Sequence, residues 1–232
     1  MHLSHDFSPA TTRRVGIYAA VASVVTVAVA PLLALSYFAI PDGAEQLASG
    51  TVRAWAEPAR DLLEPMVTWA EPQRVYATFV QSFALTFPAM LLIALAVRSR
   101  RAAQSRTERW GWRISIVSYA WSCLGLLFVV PLLVADPSGH GHAIDVVFLA
   151  LLLPGQLFSA LGSTVLGIGL LRAGFTPRAT AWLLALSFPS MVVVPEVLGH
   201  NSLGDLPVTI AWGIAGWTLA REPAVRTLQP AT

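Results

Sequence analysis

The sequence is dominated by long stretches without a charged residue, and these stretches constrain the fold more than any other feature. Only 12% of the residues are charged, against about 25% in a typical soluble domain. Because a helix rises about 1.5 Å per residue, four of the uncharged runs are long enough to cross the roughly 30 Å hydrocarbon core of a bilayer. They are residues 15–40, 75–97, 114–135 and 146–171. The chain is therefore predicted to be an integral membrane protein.

Two further apolar stretches lie near the C-terminus, and each contains one acidic residue. Residues 179–199 are uncharged up to Glu196. The last stretch reaches the length of a span only over residues 203–220, which include Asp205. We therefore predict one all-α membrane domain over residues 1–232, built as a bundle of about six transmembrane helices.

The arginines provide an independent test of this count, because short cytoplasmic loops are enriched in basic residues. With six spans and a cytoplasmic N-terminus, twelve of the fifteen basic residues fall inside, and Arg53, Arg60 and Arg74 fall outside. A five-span count would move Arg221 and Arg226 outside as well. The distribution predicts cytoplasmic termini, and it explains the net charge of +2 without a nucleic-acid partner. The absence of lysine is typical of GC-rich bacterial genomes, so the predicted location is a bacterial cell membrane, with the lipid bilayer as partner.

Residues 41–74 form the one long segment outside the predicted spans, and they contain a short repeat. Trp-Ala-Glu-Pro begins at Trp55 and again at Trp69, and Glu-Pro recurs every seven residues. Seven residues are two helical turns, so apolar groups at this spacing share a helix face. Since proline is best tolerated in a first turn, the pattern predicts one or two short amphipathic helices, broken near the prolines, on the outer leaflet. Such a segment is either a lid or docking surface, or a cover for the first two spans.

The fourth span carries small residues at every fourth position, Gly155, Ser159, Ser163 and Gly167. A ridge of small residues lets helix backbones approach closely in lipid. It predicts a central position for this helix, and it is also typical of a homo-oligomer or of binding to a membrane partner. Polar residues within the spans, among them Gln156, predict either hydrogen bonds between helices or a modestly polar cavity.

Histidine and carboxylate residues cluster in two loops that the topology places on the outer side. His140, His142 and Asp145 follow the third span, and Glu196 and His200 follow the fifth. Imidazole and carboxylate groups suit zinc and other divalent metals, and residues four apart share a face if the helix continues through them. The five residues are therefore a candidate site for a divalent metal as cofactor. The alternative is that these are ordinary polar loops at a membrane surface.

Two segments resemble parts of uncharacterised small six-span integral membrane proteins of actinobacteria. One is the hairpin of residues 167–182, which carries Arg172 and Arg178 around a turn with Pro177, and the other begins at Trp55 in the outer loop. The resemblance implies a six-span fold and carries no activity or site residue with it.

The sequence leaves three classes of function open. It contains no phosphate-binding glycine loop, no His-Glu-x-x-His and no Gly-x-Ser-x-Gly motif, which are signatures of common enzyme classes. No span carries a charge in its middle, which disfavours proton-coupled transport. The favoured class is a membrane protein that binds a lipid, a small ligand or a partner. The others are a small-solute transporter or export accessory, and a membrane-embedded enzyme that uses the outward-facing histidines and carboxylates.

Overall fold

A computed structural model describes residues 7–135 and 146–221, and in these ranges the chain forms helices joined by short turns. The described residues contain no strand, which confirms the predicted all-α class. Besides the α-helices there is a 3₁₀ turn over Glu45–Ala48 and a π-helical turn over Phe148–Leu152. In chain order the helices are α1 (Pro9–Tyr37), α2 (Pro41–Ala44), α3 (Gly50–Val67), α4 (Pro72–Ala84), α5 (Thr86–Ser99), α6 (Arg106–Ala135), α7 (Leu153–Arg172), α8 (Arg178–Ala185), α9 (Ser187–Leu198), α10 (Asn201–Gly204) and α11 (Leu206–Arg221).

Four helical segments are long and apolar enough to cross a membrane, and a fifth qualifies if a bent pair counts as one span. The four are α1, the α4–α5 pair, α6, and the segment Phe148–Arg172. Helices α8 and α9 meet at 55° and form the fifth. Helix α11 has 16 residues, which is about 24 Å of helix and short of the membrane core. Length therefore supports four or five spans rather than the six predicted, because the helix begins at Leu206 and not at residue 203.

The ends of the helices gather at two opposite ends of the bundle. We call the first the arginine end; it contains the N-terminus of α1, the α5–α6 and α7–α8 turns, and the C-terminus of α11. There, Arg101 pairs with Glu108 of α6 at 2.9 Å, and its guanidinium lies 5.5 Å from the ring of Phe175. We call the other the Tyr37 end, where Tyr37 contacts the rings of Tyr76 and His200, with centroids 5.7 and 5.0 Å apart. Alternating helix directions thus separate the arginine-rich turns from α3 and the α9–α10 turn.

Glycine contacts bring the helix backbones close together towards the arginine end. A Cβ atom on Gly111 of α6 would lie 2.5 Å from the Cα of Leu166 on α7, and one on Gly16 of α1 would lie 2.5 Å from the carbonyl oxygen of Gly216 on α11. No side chain fits at these two crossings, so the helices pack backbone against backbone. The α6–α7 and α1–α11 pairs are therefore tightly packed at these crossings.

The ridge of small residues on α7 is used for packing within the chain. All four of its residues are buried. Gly155 faces Ser122 of α6, and Gly167 faces Ala181 and Ala185 of α8. The helix therefore packs against neighbours on two sides, as a central helix does. Binding of a second copy or of a membrane partner through this ridge stays a prediction.

The segment of residues 41–74 differs from its predicted form, because α3 runs without a break through Pro58 and Pro65. Proline deprives the carbonyl four residues earlier of its helical partner. Both prolines and the residues four before them are exposed, so solvent has access to those carbonyls. The expected break occurs only before Pro72, which starts α4. The face towards the bundle also differs from the predicted seven-residue row, since Val52, Ala56 and Val67 are buried while Leu62 is 80% exposed.

Candidate ligand cavity

A cavity of about 670 Å³ opens at the Tyr37 end because α11 begins below the level at which α1 ends. The turn that precedes α11 is tied to the middle of α1, since the Ser202 hydroxyl donates to the carbonyl oxygen of Ala30 at 3.0 Å. Ala30 lies seven residues before Tyr37, the last residue of α1, which is about 10 Å along a helix. Over that last stretch Leu33 and Tyr37 face the cavity.

A glycine allows the chain to turn downward into the bundle. The residue that follows α9 is Gly199, whose φ of +79° lies in the left-handed region that favours glycine. A Cβ atom here would lie 3.0 Å from Val52 of α3 and 3.1 Å from the ring of Phe38. Both the left-handed backbone conformation and the lack of room for a Cβ atom thus disfavour any other residue at this position.

His200 starts the short helix that follows this turn. Its Nδ1 accepts a hydrogen bond from the backbone N–H of Ser202 at 3.2 Å and lies 2.8 Å from the Ser202 hydroxyl. This is the arrangement of an N-cap, with an imidazole nitrogen in place of the usual oxygen. Burial lowers the pKa of His200 to about 4, so the ring is neutral near pH 7.

The deep wall of the cavity is apolar but contains two acceptor atoms without partners. Asp205 is 4% exposed, and its Oδ2 has no hydrogen-bond partner within the described ranges; the same holds for Oε1 of Gln156. Both residues line the cavity. An unpaired buried acceptor costs free energy unless something donates to it. The apolar side chains around them are Leu33, Val80, Phe83, Phe87, Leu126, Val129 and Leu152.

The mouth of the cavity is aromatic and polar. Tyr37 lies between Tyr76 and His200, and its hydroxyl donates to the carbonyl oxygen of Asp42 at 3.1 Å. This bond holds the start of the segment 41–74 against the end of α1. The polar residues Asp42, Gln46, Gln73, Glu196 and Asn201 complete the mouth.

The predicted metal site is only partly within the described residues. His140, His142 and Asp145 lie outside them. Glu196 and His200 both line the cavity, but α9 ends at Leu198, so the helix face that the sequence suggested for them does not exist. Between residues 7–135 and 146–221 no group of three or more histidine, cysteine or acidic side chains could hold a metal ion. The metal site stays a prediction.

Sequence reasoning missed most of the residues that form the cavity. Gln156 was among the polar residues expected in a cavity, whereas Tyr37 and Tyr76 carry no sequence signal that separates them from other aromatic residues near membrane interfaces. Asp205 does carry a signal, because an acidic residue within an otherwise apolar stretch is rare and often functional.

Comparison of the chain with protein-family models, with curated proteins and with solved structures found no match in any of the three. The resemblance of the two sequence segments to actinobacterial membrane proteins therefore stays a prediction, and the case for function rests on the geometry of the cavity.

Proposed function

We propose that this protein binds a small, largely apolar ligand in the cavity at the Tyr37 end. The observation that carries the proposal is the cavity itself, about 670 Å³ with apolar walls and two buried acceptors without partners. Its volume is in the range of small-molecule sites, which combine apolar walls with a few placed polar groups. A bundle that served only as a membrane anchor would gain stability by filling this space.

We also propose a topology for the chain in a bacterial plasma membrane. Helix α11 with the α10 turn completes a sixth crossing, and the Tyr37 end faces outward. Two features support this: α11 runs antiparallel to α1 with Gly216 against Gly16, and the arginine-rich turns are at one end, as expected for a cytoplasmic face. In a Cys123→Ser background, an impermeant thiol reagent added to intact cells should label Leu62→Cys on α3 and not Ala102→Cys in the α5–α6 turn. The reverse labelling would contradict the orientation.

Ligand binding is tested by filling the cavity. Val80 lines the cavity, whereas Val24 is 71% exposed on the outside of α1. Val80→Trp should reduce the amount of small molecule that co-purifies with the protein, measured by mass spectrometry of extracts, and Val24→Trp should leave it unchanged. Equal content in both variants and the wild type would contradict the proposal.

A second candidate function is transport of a small solute, and the bend between α8 and α9 favours it. Helix α9 contributes Pro195 and Glu196 to the cavity, and its 55° angle to α8 resembles the broken helices that form binding sites in transporters. A ligand that binds in the cavity should then also accumulate in proteoliposomes that contain the protein. Binding without accumulation would favour a binding protein alone.

A further inference from the structure

The acidic and basic residues of the chain are unequally represented in the cavity lining. Three of its residues are acidic, namely Asp42, Glu196 and Asp205, and among the described residues that line it none is an arginine. The chain contains fifteen basic residues and thirteen acidic ones, so this imbalance is local and does not reflect the composition. The imidazole of His200 at the mouth is neutral near pH 7. The cavity is therefore complementary to a positive charge.

A comparison of the two deeply buried carboxylates shows that the one in the cavity lacks a partner. Glu108, fully buried near the arginine end, accepts hydrogen bonds from Arg101 and Trp112 on Oε1 and from the backbone N–H of Gln104 on Oε2. Asp205 is buried to a similar degree, yet its Oδ2 has no donor among the residues that the structure describes. The fold thus supplies donors to a buried carboxylate at one end and leaves a buried carboxylate oxygen beside the cavity without a donor at the other.

The surroundings of Asp205 favour an organic cation over a metal ion. A bare metal ion needs several oxygen ligands, whereas most of the deep wall consists of aliphatic and phenylalanine side chains. The rings of Tyr37 and Tyr76 at the mouth add aromatic faces that attract cations. Gln156 contributes a second acceptor without a partner.

We propose that the ligand is an amphipathic ammonium compound, whose N–H groups donate to the carboxylate of Asp205 and whose hydrocarbon portion lies against Leu33, Phe83 and Phe87. This inference rests on the proposed function of the cavity and adds the chemical class of its ligand. It assigns Asp205 as the residue that determines specificity.

The test compares three small probes of equal chain length, hexylamine, hexan-1-ol and hexanoate, with the full-length protein in lipid nanodiscs near pH 7. Binding is measured by isothermal titration calorimetry, and the heat measured with empty nanodiscs is subtracted. The wild type should prefer the ammonium probe over the alcohol and reject the carboxylate. Asp205→Asn should weaken binding of the ammonium probe by about tenfold or more, because hydrogen bonds to charged groups are the strong ones, and should leave the alcohol nearly unaffected.

Glu64→Gln is the matched control, because it removes an exposed carboxylate of α3 that does not line the cavity and should keep the preference. Should Asp205→Asn fail to fold, Asp205→Glu keeps the charge and should keep the preference for ammonium. Equal binding of ammonium and alcohol to the wild type would overturn this inference and leave the proposed function intact. Unchanged binding of all three probes to Val80→Trp, in which the cavity is filled, would overturn the proposed function itself.

Discussion

The two ends of the bundle differ in the surroundings that they give a buried carboxylate. At the arginine end, Glu108 has donors on both of its oxygens, and glycine contacts bring neighbouring helices together. At the Tyr37 end, Asp205 has an oxygen without a partner beside a cavity of about 670 Å³. Because the two ends belong to the same short chain, the difference does not reflect a general inability to pack. The difference therefore lies in the local surroundings of the two carboxylates, and the proposed ligand cavity lies beside the one that lacks a donor.

The largest expected effect comes from breaking the buried ion pair at the arginine end. Glu108→Ala removes the acceptor of Arg101, whose side chain is 21% exposed, and should lower the free energy of unfolding by about 3 kcal/mol. SDS titration in mixed micelles measures this change. Glu57→Ala is the control, since the Arg53–Glu57 pair is exposed and its atoms lie 3.7 Å apart, and it should lose less than about 0.5 kcal/mol. Equal losses would show that burial at this end has no special role.

A single methyl group at the α6–α7 crossing should have the next largest effect. In Gly111→Ala the new Cβ would meet the backbone of Leu166, and overpacking of this kind costs about 2 kcal/mol. The same substitution at Gly50 introduces no contact within 4 Å, so it should lose nothing. The two variants are compared by their thermal unfolding midpoints in detergent. A stable Gly111→Ala protein would contradict the close packing of this end.

The neutral His200 predicts a pH dependence that belongs to the Tyr37 end. Its pKa is about 4 in the folded protein and 6.5 as the ordinary value, so below pH 6.5 the unfolded chain binds a proton that the folded chain does not. The stabilising contribution is complete above pH 6.5 and is lost as the pH falls towards 4. The loss is measured as the difference between the pH profiles of the wild type and His200→Asn, which keeps a cap acceptor, and should be about 1 kcal/mol between pH 7 and pH 5.5. Parallel profiles of the two proteins would contradict the burial of this ring.

The smallest expected change in stability is that of Asp205→Asn, and it tests the difference between the two buried carboxylates most sharply. Asp205→Asn replaces a buried carboxyl group whose Oδ2 has no partner with a neutral amide of the same shape, so it should change the free energy of unfolding by less than about 1 kcal/mol, in the stabilising direction. The reference is Glu108→Gln, which should destabilise because it weakens satisfied bonds. SDS titration of the two variants measures both changes. A clear loss of stability in Asp205→Asn would mean that Asp205 has a structural partner, and the contrast between the two ends would fail.

The sequence predicted the membrane-spanning character and the helical class, because both depend on composition along the chain. The approximate bounds of the first four spans follow from runs without charge, and the structure extends α6 back to Arg106 because a helix continues beyond the lipid. The start of α11 could not be predicted in the same way. It depends on the left-handed turn at Gly199 and on the bond from Ser202 to Ala30, which joins residues 172 positions apart.

The candidate site followed from the sequence only in outline. The prediction that the outer side carries the site relied on His200 and Glu196, and both line the cavity. Their proposed role on one helix face was wrong, since α9 ends between them. Leu33, Val80 and Leu152 have no polar signature, so only the packing of helices could reveal that they share a wall.

The most direct test of the account asks whether water reaches the wall of the cavity from the Tyr37 end. In a Cys123→Ser background, Val80→Cys lies on the cavity wall, and Val24→Cys lies on the outer surface of α1. A small water-soluble methanethiosulfonate reagent reacts with thiols in water and not with thiols in lipid. The account predicts that Val80→Cys reacts from outside the cell and Val24→Cys does not. Failure of Val80→Cys to react, at the same level as Val24→Cys, would contradict an open cavity at this end.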